Sequence, residues 1–223
     1  MVAKLIDVAV PAAPAGVVLV LHGGGSRRHT MMVSPAQLSV LRMIPIARRI
    51  ARAGRGSLAV FRLLNSRRGW DASHTPVHDV QWALDQLAER FGERRPVSLV
   101  GHSLGGRAAL LAADRPEVVS AVGLAPWVYP TDVPSRLDGQ RLLIVHGDQD
   151  RVASPARSAE LARRLADRAP TAYVGVAGAT HAMVRRHGVF SGLASAFCTA
   201  TLLGRSECPT IARIEAGDAW IEL

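Results

Sequence analysis

The sequence predicts an α/β protein with a doubly wound, mostly parallel central sheet of about seven strands and helices on both faces. Three observations lead there. Short apolar runs alternate with longer stretches of helical periodicity, which is the pattern of successive right-handed βαβ units. The 223 residues, 48% of them hydrophobic, suffice for one substantial core and show no composition shift that would mark a second domain, so residues 1–223 are read as one domain. Glycine, serine, aspartate and histidine gather just after the runs, and a parallel sheet binds its ligands at the carboxyl ends of its strands.

Residues 5–10 (LIDVAV) and 17–21 (VVLVL) open the chain as two strands, the second wholly apolar, as a strand covered on both faces must be. Residues 35–52 carry apolar side chains at helical spacing. Strand 58–63 (LAVFRL) and helix 77–91 follow, then strand 97–100 (VSLV) and an alanine- and leucine-rich helix over 104–113. Strand 119–124 (VSAVGL) is joined to strand 142–145 (LLIV) by residues 126–140 alone. Helix 155–168, strand 172–176 (AYVGV) and helix 183–203 complete the pattern. Residues 205–223 are read as a C-terminal extension, a terminal hairpin or a dimer arm, because the alternation of Ile211, Arg213, Ile214 and Glu215 is irregular.

Composition excludes several function classes. No apolar run approaches the roughly 18 residues of a membrane span. The start, MVAKLIDVAVPAAPAG, lacks the charged head and long apolar centre of an export signal, so a cytoplasmic monomer or homodimer with no membrane contact is expected. The net charge is +9, but of the 27 basic residues only Lys4 is lysine; the arginines are scattered as singles and pairs, and no basic run reaches five. With aromatics at 4% there is little to stack on bases, and no nucleic-acid partner is expected. Cys198 and Cys208 stand alone and are read as reduced thiols. His29, His74, His78 and His187 follow no metal-ligand spacing, and neither a metal nor a cofactor is expected.

Two glycine-rich stretches ask for a chemical explanation. After run 97–100 the chain reads GHSLGG, in which Gly101-His102-Ser103-Leu104-Gly105 fits G-x-S-x-G and opens a helix. A serine on so sharp a strand-to-helix turn is held in a strained backbone, and small residues two before and two after it let strand and helix approach. Ser103 is thereby pushed outward, and the Leu104 amide at the helix N-terminus is free to meet developing negative charge. A hydroxyl nucleophile needs a base, and the base needs an orienting acid. HGDQDRV, after run 142–145, offers Asp148 and Asp150; GATH, after run 172–176, offers His181. The order of serine, acid and histidine places each after a separate strand.

Together, LHGGGS, GHSLGG, HGDQDRV and GATH make the chain resemble a small, lidless α/β-hydrolase, of the kind that includes dienelactone hydrolase and serine esterases, over residues 5–203. The resemblance implies the α/β-hydrolase fold without a large cap, and assigns the acid to the second aspartate of G-D-x-D. Asp150 is then the acid and Asp148 a turn-forming or capping residue. It implies attack by Ser103 on an acyl carbon, His181 as base, and an oxyanion held by the Leu104 amide and one from the glycine stretch. Gly24 is the first choice for that second donor and Gly25 the near alternative. The stretch is not a phosphate cradle, since no Gly-Lys-Ser/Thr ending follows it. His22 is expected to order the loop, His102 to point away from the site, and His146 to serve a structural hydrogen bond. Topology puts Arg68 and Trp70, and likewise Trp127, at the site's edge as candidate substrate-binding residues, with ordinary loop packing the alternative. The short 126–140 connection leaves a shallow, open site for small-molecule acyl substrates: esters or thioesters, cleaved through an acyl-enzyme. An acyltransferase or peptidase would use the same triad, and an accessory protein of this fold would have lost turnover.

Overall fold

Strands β2 (Gly16–Leu21), β4 (Val97–His102) and β7 (Thr171–Val176) are buried along their whole length. This is what a parallel sheet covered on both faces requires of its interior strands. The computed structural model describes residues 2–24 and 33–223. Five more strands, β1 (Lys4–Ala9), β3 (Leu58–Leu64), β5 (Val118–Leu124), β6 (Arg141–Gly147) and β8 (Trp220–Glu222), complete one sheet in the order β1-β3-β2-β4-β5-β6-β7-β8. Only β1 runs antiparallel to its neighbour, β3; every other pairing is parallel.

The period-2 alternation of the strands sorts their side chains into two layers. Val17, Leu19 and Leu21 of β2 pack with helices α3 (Thr75–Phe91), α4 (Leu104–Leu111) and α5 (Pro155–Ala166). Val18 and Val20 of the same strand pack with α2 (Met43–Gly54) and α6 (His187–Leu203). Among residues 125–140, between β5 and β6, there is neither helix nor strand, so no cap domain intervenes there.

The structure departs from the sequence-based expectation in three places. The predicted helix over 35–52 is divided into α1 (Leu38–Leu41) and α2. Pro45 accounts for this, because it has no N–H to bond the Leu41 carbonyl and its ring collides with that group. The predicted helix over 183–203 begins only at His187, after a turn in which Met183 takes φ +58°. Finally, residues 205–223 form neither a hairpin nor a free arm: α7 (Pro209–Glu215) packs through Ile211, and β8 extends the sheet to eight strands. Ile211 and Ile214, three apart on α7, lie against the same core.

Candidate active site

The turn from β4 into α4 sets the site. Ser103 takes φ +56° and ψ −121°, a conformation that costs a non-glycine residue about 1–3 kcal/mol and persists only where its surroundings enforce it. The enforcement is steric. A Cβ on Gly101 would overlap the Gly105 carbonyl, and one on Gly105 would stand 2.5 Å from the His22 carbonyl oxygen and 2.6 Å from that of Leu21. The serine is therefore carried on a crossing that only glycine at both flanking positions permits. The Ser103 amide donates to the Leu124 carbonyl at 3.0 Å, and the Ser103 carbonyl accepts from Trp127 N–H at 3.1 Å, tying the turn to the end of β5 and the loop beyond it.

From this position the Ser103 hydroxyl reaches His181 Nε2 at 3.0 Å, and His181 Nδ1 lies 2.8 Å from Asp150 Oδ2. The three residues sequence reasoning singled out thus form one hydrogen-bonded line, drawn from the ends of β4, β6 and β7. Asp150 is buried, and its other oxygen accepts the amides of Val152 at 2.8 Å and Ala153 at 2.9 Å. Burial alone would push this carboxyl up. The hydrogen bonds from His146, His181, Ala153 and Val152 outweigh it and hold the group well below the usual carboxylate range. Asp148, by contrast, is exposed and accepts the Gly178 amide at 2.7 Å, pinning the turn after β7.

His22 orders its loop as expected: Nδ1–H donates to the Gly23 carbonyl and Nε2 accepts the Asn65 amide at 3.1 Å, stapling the end of β2 to the end of β3. Burial lowers its pKa. Gly23 then abuts Ser103, since a Cβ there would lie 3.0 Å from Ser103 Cβ. Gly24 follows, next to Gly69 and the Arg68 stem. The Leu104 amide is the first of α4, and the first four amides of a helix have no partner inside it. Gly25 lies outside the described residues, as does His29.

His102 does not simply point away from the site. Its Nε2–H donates to the His181 carbonyl at 2.9 Å, and the two rings lie 4.9 Å apart, so it braces the segment that carries His181. Burial, reinforced by the nearby His181, lowers its pKa to about 3. Neither His146 nor Arg107 was singled out as a site residue by sequence reasoning. His146 Nε2 lies 3.0 Å from Asp150 Oδ2. Arg107, four residues after Ser103, is paired with buried Asp132 at 2.7 Å and stacked 4.1 Å over Trp70 and 5.7 Å over Trp127. Its place one helical turn beyond the serine was the signal available. Trp70 and Trp127 are half-buried around that guanidinium, and Arg68 is half-buried with its Nε unpartnered among the described residues.

Among the described residues no cluster of histidine, cysteine, aspartate and glutamate could hold a metal ion, and no helix is long and apolar enough to cross a membrane. Cys198 and Cys208 are both free thiols.

No curated protein matches the chain by sequence. Solved structures resemble it in fold. An alpha-beta serine hydrolase homologue from Coxiella burnetii is 18% identical, with a TM-score of 0.65 over 86% of this chain and 90% of that one. A lidless serine hydrolase from Xanthomonas campestris is 18% identical, with a TM-score of 0.64 over 86% and 85%. Est1E from Butyrivibrio proteoclasticus, bound to ferulic acid, is 15% identical, with a TM-score of 0.64 over 90% and 96%. The profile of the alpha/beta hydrolase family matches residues 17–141, from β2 to the first residue of β6 and so through the serine turn. With that match over more than half its length, and with the eight-stranded sheet that carries it, the chain belongs to the alpha/beta hydrolase family.

Proposed function

We propose that the protein is a serine hydrolase that cleaves small carboxylic esters or thioesters through an acyl-enzyme on Ser103. The observation that carries this reading is the unbroken line from Ser103 Oγ through His181 to Asp150, at 3.0 and 2.8 Å, beginning on a strained turn. An ionised carboxylate only accepts hydrogen bonds, so His181 gives its Nδ1–H to Asp150 and presents a bare Nε2 to the serine hydroxyl. His181 takes that proton as Ser103 attacks the acyl carbon, and Asp150 stabilises the imidazolium that results. The imidazolium then protonates the departing alcohol or thiol. Water, activated by the same Nε2, releases the acid and restores the serine. The Leu104 and Gly24 amides hold the oxyanion in both steps, each worth about 3 kcal/mol in sites of this kind. Arg68, Trp70 and Trp127 line the acyl or leaving-group side, and the absence of helix or strand between β5 and β6 supports a shallow, open site suited to small substrates. The reaction is expected in the cytoplasm, without metal or cofactor.

The test is active-site labelling. Wild-type protein should take up a fluorophosphonate probe and hydrolyse p-nitrophenyl acetate; Ser103→Ala should lose the label and at least about 10⁴-fold in rate. Wild-type protein that takes up no probe would instead be a non-catalytic accessory protein of this fold.

A further inference from the structure

Asp150 holds two imidazoles on one oxygen. Oδ2 faces His181 Nδ1 at 2.8 Å and His146 Nε2 at 3.0 Å, while Oδ1 is taken by the amides of Val152 and Ala153. His146 and the Asp150 carboxylate are fully shielded from solvent. An ionised carboxylate has no hydrogen to give, which assigns the Nε2–H tautomer to His146. Its bare Nδ1 accepts the hydroxyl hydrogen of Ser158, on α5, at 2.9 Å. The hydrogen bonds therefore run in one line, from the Ser103 side chain through His181, Asp150 and His146 to Ser158 of α5.

We infer that His146 is a positioning residue for the base: by sharing Asp150 Oδ2 with His181 it fixes the carboxylate's orientation and tempers its pull on the imidazolium. The inference rests on the proposed triad. With about four acceptor sites on a carboxylate and four donors present, Asp150 cannot turn without breaking hydrogen bonds. Its negative charge is also divided, so His181 receives only part of it. Among the described residues, three further groups bear on the pair. His102, at the end of β4, feels the charges of His181, Arg42 and Asp150; α5 contributes the neutral Ser158; and Asp148 is turned to Gly178.

Kinetics and spectroscopy together test this. With p-nitrophenyl acetate between pH 5 and 9, His146→Leu should lower kcat about tenfold with KM within about twofold. It should also move the acidic limb of the profile to higher pH, because Oδ2 then serves His181 alone. His146→Gln keeps an N–H donor and should restore both to near wild type. In ¹⁵N-histidine spectra of the wild-type protein, His146 should appear as the Nε2–H tautomer. A wild-type profile in His146→Leu, equal impairment in His146→Gln, or the Nδ1–H tautomer overturns the inference. The spectra and the glutamine variant decide it even if the leucine variant does not fold. Failure of the wild-type protein to label with a fluorophosphonate would sink the hydrolase reading instead, and so is distinguished from failure of the inference.

Discussion

Asp148 and Asp150 stand two positions apart in the same segment and do different work because one is exposed on a turn amide and the other is buried among four donors. Asp150→Asn should therefore cost about 10³–10⁴-fold in kcat for p-nitrophenyl acetate, since the amide favours the wrong His181 tautomer. Asp148→Asn should stay within about threefold, because an amide oxygen still accepts the Gly178 N–H. The opposite ranking would reassign the acid. His102 makes a second residue-scale prediction. Its pKa is about 3 in the folded chain and about 6.5 when unfolded. Between these values the unfolded chain binds a proton that the native state refuses, so stability is complete above about pH 6.5 and falls as pH drops. From pH 7 to pH 5 the loss from His102 is about 2 kcal/mol, and buried His22 acts in the same direction. Urea unfolding at the two pH values measures it; His102→Gln should flatten the dependence, and an unchanged slope would reject the assignment.

The element that matters most is the β4–α4 crossing. Gly105 lets the first turn of α4 lie against the carbonyls of Leu21 and His22, and Gly23, the next residue, lies beside Ser103. Gly105→Ala should cost about 3 kcal/mol or more, because the obstruction is backbone and cannot step aside. For a chain of this size that lowers Tm by about 6–12 °C, with loss of fluorophosphonate labelling as the serine and the Leu104 amide shift. Gly188→Ala is the control, since a Cβ there meets nothing within 4 Å. Equal thermal denaturation of the two variants would show that the crossing tolerates a methyl group.

Across the whole molecule, the sheet order brings together residues distant in sequence: Ser103 leaves β4, Asp150 follows β6, and His181 follows β7. β7 is itself covered by β8, through Tyr173 N–H to Ala219, Leu223 N–H to Gly175 and Ala177 N–H to Leu223, with Trp220 5.0 Å from the Tyr173 ring. Deleting residues 205–223 removes buried Ile211 and Ile221 and leaves β7 as a bare apolar edge, a template for pairing with another chain. The truncated protein should elute as dimers and larger species by size-exclusion chromatography with light scattering, with weaker fluorophosphonate labelling because β7 leads into the His181 segment. A truncated chain with the same elution and labelling as the full chain would show that the last strand is dispensable.

The sequence by itself determined the α/β class, the seven strand runs from β1 to β7, the serine turn and the small set of candidates for base and acid. These are local properties: period, glycine spacing, and the polar residue left standing at the end of an apolar run. The terminal α7 and β8 were not legible, because seven helical and three strand residues are too short for either period to declare itself. Only the tertiary structure decided that Asp150 faces His181 while Asp148 faces Gly178, that His102 braces the His181 segment, and that His146 shares the Asp150 oxygen. Each of those depends on distance between side chains carried by different strands, and the sheet, not the chain, sets that distance.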